Sequence, residues 1–152
     1  ALIAYGIAFI VIENRNRSRQ ASVDTLTGIT YPIALTIGLF QVLSIIPGTS
    51  RSGATIIGAL LIGVSRTAAA EFTFFLAVPV MFGLSFIKLI KFGFSFTSAE
   101  LLTLALGMAV AYAVSVLVIK FLMTYIQKYN FKLFGWYRII LGLIVLLYFT
   151  LI

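Results

Sequence analysis

The residues best suited to chemistry in this chain form one short string, PGTSRSGAT, at residues 47–55. It sets several hydroxyls and one arginine between two apolar runs, 33–46 and 56–64. Each run is shorter than the roughly 20 apolar residues that a helix needs to cross a bilayer. An arginine at bilayer depth is costly and therefore indicates a functional site. The groups around Arg51 are hydrogen-bond donors, which indicates a site for an anion.

The string predicts a phosphate site at the start of a helix. A helix N-terminus leaves backbone N–H groups unpaired and favours negative charge. Gly48 and Gly53 would let a ligand approach the backbone closely, and Arg51 offers a planar fork that matches a phosphate. The hydroxyl groups that would complete such a site belong to Ser50, Ser52 and Thr55.

Structural interpretations stand beside these functional ones. Pro-Gly followed by Ser is also an ordinary helix stop and restart, in which Arg51 would reach the interface or pair with a carboxylate. The apolar flanks favour the anion site. Gln41 either reaches the tip of the turn or makes an interhelical hydrogen bond, and the residues leave both open. Glu71 either faces the site or is favoured by the dipole at a helix N-terminus, and the second interpretation is preferred. Arg138 is interpreted as an interfacial anchor.

The composition indicates an integral membrane protein. The 152 residues are 62% hydrophobic and only 10% charged, with a mean hydropathy of +1.16, whereas soluble domains average about 25% charged residues. The formal net charge of +7 does not indicate nucleic-acid binding, because the basic residues are scattered over segment ends. Cysteine and histidine are absent from the sequence, which excludes disulfides, zinc sites and Ser-His-Asp triads within this chain. The four acidic residues form no pair, so the chain predicts no carboxylate metal cage of its own.

We predict an all-α, polytopic membrane protein with a single membrane domain over 1–152. Two half-length helices meeting at a Pro-Gly turn indicate a re-entrant hairpin over 28–63, since non-helical backbone at membrane depth must be buried in protein or line a cavity. Transmembrane helices are predicted at 68–90, 99–123 and 134–152. The apolar run 1–12 resembles the end of a further transmembrane helix, which makes the chain the C-terminal part of a longer protein.

Local signals add detail to these elements. Ser50 or Ser52 is expected to cap the second half-helix, Thr67 the next helix, and Thr97 or Ser98 the one after it. Small residues at four-residue spacing in the 99–123 helix would let a neighbouring helix approach closely; they are Gly107, Ala111 and Ser115.

The distribution of basic residues predicts an orientation. The loops 13–27 and 124–132 hold most of them, together with Arg66, while Lys88 and Lys91 lie on the opposite face. The positive-inside rule therefore places the two loops in the cytoplasm and the C-terminus outside.

Residues 41–55, QVLSIIPGTSRSGAT, closely resemble the C-terminal signature of the undecaprenyl-diphosphate phosphatases of the bacitracin-resistance type. The resemblance extends through 58–79 (GALLIGVSRTAAAEFTFFLAVP) and 136–142 (WYRIILG), and so covers most of the chain. It implies a multi-pass protein of the bacterial inner membrane, built from two inverted repeats whose re-entrant hairpins meet at the active site. Inverted repeats of this kind are otherwise typical of transporters.

The resemblance also implies the reaction, which is hydrolysis of undecaprenyl diphosphate to undecaprenyl phosphate and inorganic phosphate, recycling the lipid carrier of peptidoglycan synthesis. The implied catalytic residues are Arg51, Ser50 and Ser52. The implied substrate-binding residues are Gly48, Thr49, Gly53, Thr55 and Gln41. A divalent cation, Mg²⁺ or Ca²⁺, is implied as cofactor, with its ligands in an N-terminal half that this chain lacks and none in this chain. The implied partners are the isoprenyl diphosphate lipid, the membrane and that N-terminal half, with no nucleic acid, and a homodimer stays open.

Two other functions fit the same pattern. Half of a transporter or flippase for an anion or a lipid headgroup would also use a broken helix and a cationic group at the membrane midplane. A structural membrane subunit whose polar tip binds a partner protein is the third possibility, and it would tolerate the loss of Arg51.

Overall fold

The computed structural model describes residues 1–16, 20–93, 96–129 and 131–151, and its regular elements are helices. The described helices are α1 (Leu2–Asn16), α2 (Tyr31–Val42), α3 (Arg51–Leu61), α4 (Arg66–Phe92), α5 (Ser98–Lys128) and α6 (Lys132–Leu151). Within these ranges no strand forms, although Val23 and Val64 make one isolated bridge. The predicted all-α class is therefore confirmed.

Three helices are long and apolar enough to cross a membrane, namely α4, α5 and most of α6. They confirm the membrane protein that the composition predicts. The described chain divides into two compact units, one formed by Ala1–Phe74 with Ile126–Ile152 and the other by Phe75–Tyr125. All of the predicted site residues belong to the first unit.

Helices α1 and α6 pack closely through glycines. A Cβ atom at Gly6 would lie 2.7 Å from Ile139 Cγ1 and 2.8 Å from the carbonyl oxygen of Gly135, and one at Gly142 would lie 2.6 Å from Ile3 Cγ1. Real Cβ atoms do not approach other atoms this closely. The two backbones can therefore meet here only because glycine has no side chain. This contact fixes which residues of α1 and α6 face each other.

The sequence predicts a different close contact, and the structure does not form it within the described residues. Gly107, Ala111 and Ser115 of α5 are all exposed. No atom lies within 4 Å of the position that a Cβ at Gly107 would occupy. The close approach of a helix to this face of α5 stays a prediction.

Helices α2 and α3 fold back on each other across the Pro-Gly turn. α2 ends in the 3-10 turn Leu43–Ile45, and Gly48 then adopts a φ of +83°, a conformation that glycine takes without strain. The Phe40 ring lies directly over Gly58, where a Cβ would come within 2.4 Å of Phe40 Cγ. The two short apolar helices of the predicted hairpin are thus present, and their re-entrant placement in a membrane stays a prediction.

We expect Gly58→Ala to lower the melting temperature of the protein in detergent. The new methyl group would overlap three atoms of Phe40 at 2.4–2.7 Å, and overpacking of this kind costs about 1–3 kcal/mol. Gly38→Ala is the matched control, because a Cβ there has no atom within 4 Å. Equal melting temperatures for the two variants would contradict the packing of Phe40 on Gly58.

The structure identifies the capping residues of α4 and α5, and it shortens one predicted loop. Ser65, rather than Thr67, caps α4, since its Oγ accepts a backbone N–H of the first turn at 3.3 Å. Thr97 caps α5 in a capping box, in which its N–H and Oγ1 donate to Glu100 Oε2 at 2.8 Å and its Oγ1 accepts the Glu100 N–H at 3.3 Å. α5 continues well into the predicted loop 124–132, which is correspondingly shorter.

The predicted orientation in the membrane stays a prediction. Two of the basic residues on which it depends, Arg17 and Arg19, lie outside the described residues. Arg15 is exposed in the last turn of α1.

Candidate anion-binding site

Ser50 caps α3 and so sets the start of the candidate site. Its backbone is extended, with φ −72° and ψ 126°, and its Oγ accepts the Gly53 N–H at 3.2 Å. The Ser52 hydroxyl lies 3.2 Å from the Ser50 hydroxyl, and Ser52 is exposed. Of the two predicted capping residues, Ser50 is the cap, because its Oγ accepts the N–H of the residue three positions later, as an N-cap side chain does. Arg51 is consequently the first residue of the helix.

Three polar side-chain atoms around this helix start are buried and have no hydrogen-bond partner among the described residues. They are Thr49 Oγ1, Arg51 Nη1 and Arg138 Nη1. A buried polar atom without a partner is uncommon and calls for an explanation such as a ligand. Since two of the three atoms carry N–H groups of positively charged guanidiniums, the ligand that suits them is an anion.

Arg138 reaches this cluster from α6, and the sequence did not predict it there. Its guanidinium lies against the first turn of α3, where a Cβ at Gly53 would be 3.1 Å from both Nη1 and Nη2. Its Cζ also lies 5.3 Å from the centroid of the Phe9 ring. The Arg138 guanidinium thus contacts protein groups, and its placement at a membrane interface stays a prediction. The two aromatic residues that suggested the anchor, Trp136 and Tyr137, are largely exposed.

The signal that could have identified Arg138 is the one that identified Arg51. Both are arginines within apolar segments, where a positive charge is costly and needs a reason. The aromatic neighbours of Arg138 favoured the interfacial interpretation instead. On an apolar helix such as α6 the sequence does not say which way the Arg138 side chain points.

Gly53 has a clear role in this geometry. The absence of a side chain at Gly53 lets the Arg138 guanidinium lie directly on the backbone of α3. Gly48, for its part, shapes the turn before the helix with its positive φ. That either glycine touches a substrate stays a prediction.

Thr55 has its hydroxyl occupied within the protein. Thr55 is only 1% exposed, and its Oγ1 lies 3.2 Å from the carbonyl oxygen of Arg51 and 3.0 Å from that of Ser52. The same Oγ1 accepts a hydrogen bond from Thr73 Oγ1 at 3.0 Å. These bonds join the first turn of α3 to α4, and they already use the one O–H donor of Thr55. An anion could therefore accept a hydrogen bond from Thr55 only by displacing a carbonyl oxygen.

Two further predicted residues make no recorded polar contact. Gln41 and Glu71 are both partly exposed, and neither side chain forms a hydrogen bond or ion pair within the described part of the chain. Binding of substrate by Gln41 stays a prediction. The described residues also contain no group of three or more His, Cys, Asp or Glu that could hold a metal ion.

Glu13 is a buried carboxylate that the sequence placed in a basic loop. Instead α1 continues to Asn16, and Glu13 is 2% exposed. Its carboxylate pairs with Arg66 at the start of α4, and its Oε2 accepts the Phe131 N–H at 3.5 Å. Glu13 thus joins α1 to α4 and to the residue that precedes α6.

We expect Glu13→Gln to destabilise the protein in detergent by about 1–3 kcal/mol. The substitution removes the negative charge that Arg66 pairs with, and so leaves the Arg66 guanidinium without its counter-charge. The value lies below that for a fully buried pair because Arg66 is 40% exposed. Thermal unfolding would measure the loss. Glu71→Gln is the control, and it should have little effect. The absence of coupling between Glu13→Gln and Arg66→Met in a double-mutant cycle would contradict the ion pair.

A polar cavity of about 470 Å³ lies at the other end of α3. Its lining includes Asn16, Ser22 and Arg66 together with residues 60–65. Because α3 has 11 residues, this cavity is about 16 Å along the helix from Arg51. It therefore forms no part of the candidate anion site.

The fold and the cluster together describe an integral membrane protein that presents a polar, cationic helix start. The chain belongs to the family described as bacitracin resistance protein BacA, whose model matches residues 1–144. Family membership and the three apolar helices place the chain in the bacterial inner membrane. The resemblance noted in the sequence is thereby confirmed.

The chain is similar to several proteins named undecaprenyl-diphosphatase. It is 75% identical to one from Enterococcus faecalis over 146 residues, which cover 96% of this chain and 53% of that relative. It is 65% identical to one from Lachnoclostridium phytofermentans over 150 residues, covering 99% and 55% of the two chains. A third, from Acetivibrio thermocellus, is 61% identical over 148 residues, covering 97% and 54%. The chain spans about half the length of the curated relatives it matches.

Proposed function

We propose that this chain supplies the phosphate-binding part of an undecaprenyl-diphosphate phosphatase. The reaction consumes one water and converts undecaprenyl diphosphate to undecaprenyl phosphate and inorganic phosphate. The observation that carries the proposal is a pair of buried guanidinium nitrogens near the start of α3, on Arg51 and Arg138, that have no hydrogen-bond partner among the described residues. The name undecaprenyl-diphosphatase, which the relatives at 55–75% identity share, supports the choice of substrate.

The proposed chemistry is electrostatic. In phosphoryl transfer the protein contributes mainly by positioning the groups and stabilising charge on the phosphoryl oxygens. Arg51 and Arg138 would share that charge with the N-terminus of α3. The hydroxyls of Thr49, Ser50 and Ser52 would complete the donors. We assign Thr55 to holding the first turn of α3 in place, since its hydroxyl already has partners.

The proposed membrane placement follows the hairpin. α2 and α3 would enter the bilayer as a re-entrant hairpin, so that the polar turn reaches the headgroup of a lipid whose isoprenyl tail lies among apolar helices. An inverted repeat of the same kind would face it, as in other membrane proteins with broken helices. This arrangement would supply the polar surroundings that an arginine within the membrane needs.

The divalent cation implied by the resemblance does not fit the described cluster. Mg²⁺ and Ca²⁺ are bound by carboxylate and carbonyl oxygens, whereas the buried side-chain atoms without a partner near the start of α3, among the described residues, belong to one hydroxyl and two positive guanidiniums. We propose that a Mg²⁺ or Ca²⁺ ion used in the reaction has its protein ligands outside this cluster. The proposed roles of Arg51 and Arg138 do not depend on such an ion.

The test is release of phosphate from undecaprenyl diphosphate in detergent, with magnesium or calcium present. The proteins to compare are a full-length family member that carries this sequence and the 152-residue chain. Hydrolysis by the full-length protein supports the phosphatase, because transport has no meaning without a second compartment. No phosphate release from folded protein would overturn the proposal and favour the transporter. Activity restricted to the full-length protein would indicate a site that needs residues beyond this segment.

A further inference from the structure

Arg138 has an unusual setting for an arginine within an apolar helix. Glu13, the buried carboxylate of this unit, pairs with Arg66, and within the described residues Arg138 forms no ion pair with a carboxylate. Its guanidinium instead lies between the backbone at Gly53 and the ring of Phe9. An arginine side chain has several rotatable bonds, and a contact is needed to hold its charged end in one place.

We propose that Phe9 is the positioning residue for Arg138, and that it acts through the face of its aromatic ring. The 5.3 Å between Arg138 Cζ and the ring centroid lies within the roughly 6 Å over which a ring face attracts a cation. A carboxylate partner would occupy N–H donors and cancel the charge. A ring face stabilises the cation and leaves donors such as Nη1 free to bind an anion.

The Phe9 ring is itself held firmly. Phe9 is 3% exposed and Phe131 is 4% exposed, and their ring centroids lie 5.9 Å apart at an interplanar angle of 41°. One turn further along α1, the buried Glu13 accepts the Phe131 N–H. On the other side of Phe9 along α1, Gly6 sits in close backbone contact with α6. The ring is therefore part of the packed contact between α1 and α6. Because packing holds the ring in place, its face gives the Arg138 guanidinium a fixed surface to lie on.

This inference rests on the proposed function only in taking the anion to be a diphosphate. Its test replaces Phe9 by mono-, di- and trifluorinated phenylalanine in the full-length protein. Fluorine withdraws charge from the ring face with little change in ring size. If the ring only fills space, pyrophosphate binding should not change across the series. If the ring face holds the cation, binding should weaken stepwise with each added fluorine. Binding of inorganic pyrophosphate and the KM and kcat for undecaprenyl diphosphate are the measurements.

We expect a graded loss of pyrophosphate affinity, reaching about tenfold with the trifluorinated ring. The KM should rise in parallel and kcat should change less. The matched control is the same series at Phe131, whose recorded ring contacts within the described chain are the aromatic residues Phe9 and Phe134. That series should give no graded change.

The outcomes separate this inference from the proposed function. Flat responses at Phe9, or equal responses at Phe9 and Phe131, would overturn the positioning role even if the protein hydrolyses the substrate. A graded loss of pyrophosphate binding without any hydrolysis would support the positioning role and overturn the phosphatase. If the folded protein neither binds pyrophosphate nor hydrolyses the substrate, both the positioning role and the phosphatase are overturned.

Discussion

Arg51→Ala in the full-length protein is expected to lower kcat/KM for undecaprenyl diphosphate by about 10²–10³-fold, while the protein still folds. The loss matches that of one preorganised donor to a developing negative charge. Arg51 is the first residue of α3, and its Nη1 is buried without a described partner. Removing the side chain therefore breaks no hydrogen bond or ion pair among the described residues. Phosphate release in detergent and thermal unfolding of the same preparations would measure the two effects.

Arg51→Lys should also be strongly impaired, because a point charge does not replace a planar fork that binds two phosphate oxygens. Arg15→Ala is the matched control, since Arg15 is an exposed arginine at the far end of α1. It removes the same charge from the protein and should leave turnover near normal. Near-normal turnover in Arg51→Ala would contradict the anion site. Equal losses in Arg51→Ala and Arg15→Ala would show that the effect comes from the net charge of the protein and not from a site at Arg51.

Gly53→Ala is expected to reduce activity without reducing stability. A methyl group at Gly53 would lie 3.1–3.3 Å from the Arg138 guanidinium and push it away. The same change should favour the helix by up to about 1 kcal/mol, since alanine is the better helix former. We expect about a tenfold loss in kcat/KM together with an unchanged or higher melting temperature. Opposite signs for activity and stability distinguish this effect from simple unfolding.

Arg138→Met tests the same contact from the other side. It keeps an unbranched apolar stem, removes the guanidinium, and should lower kcat/KM by about 10²-fold as the loss of a charged donor. In an Arg138→Met background Gly53→Ala should have almost no further effect, because the group that it displaces is gone. Fully additive losses in this double-mutant cycle would contradict the placement of Arg138 on the first turn of α3.

Local sequence was sufficient for the class of the protein and for the start of the candidate site. The composition indicates a membrane protein, and the apolar runs along the chain locate three segments of spanning length. Ser50 could be named as one of two capping residues because an N-cap closes its hydrogen bond within three residues. With that cap, Arg51 necessarily opens the helix. The string at 47–55 also carried the resemblance to the family. Each of these conclusions depends on residues that are neighbours in the chain.

Only the tertiary structure decided which distant residues join that helix start. α6 is apolar along most of its length, so no pattern within it says which way Arg138 points. The close packing of Gly6 on Gly135 sets the rotation of α6 against α1, and that rotation turns Arg138 toward Phe9 and Gly53. The same packing buries Glu13, which the local sequence pattern assigned to a basic loop. Helix starts are fixed by bonds between near neighbours, whereas the direction of a side chain on an apolar helix is fixed by the helix against which it packs.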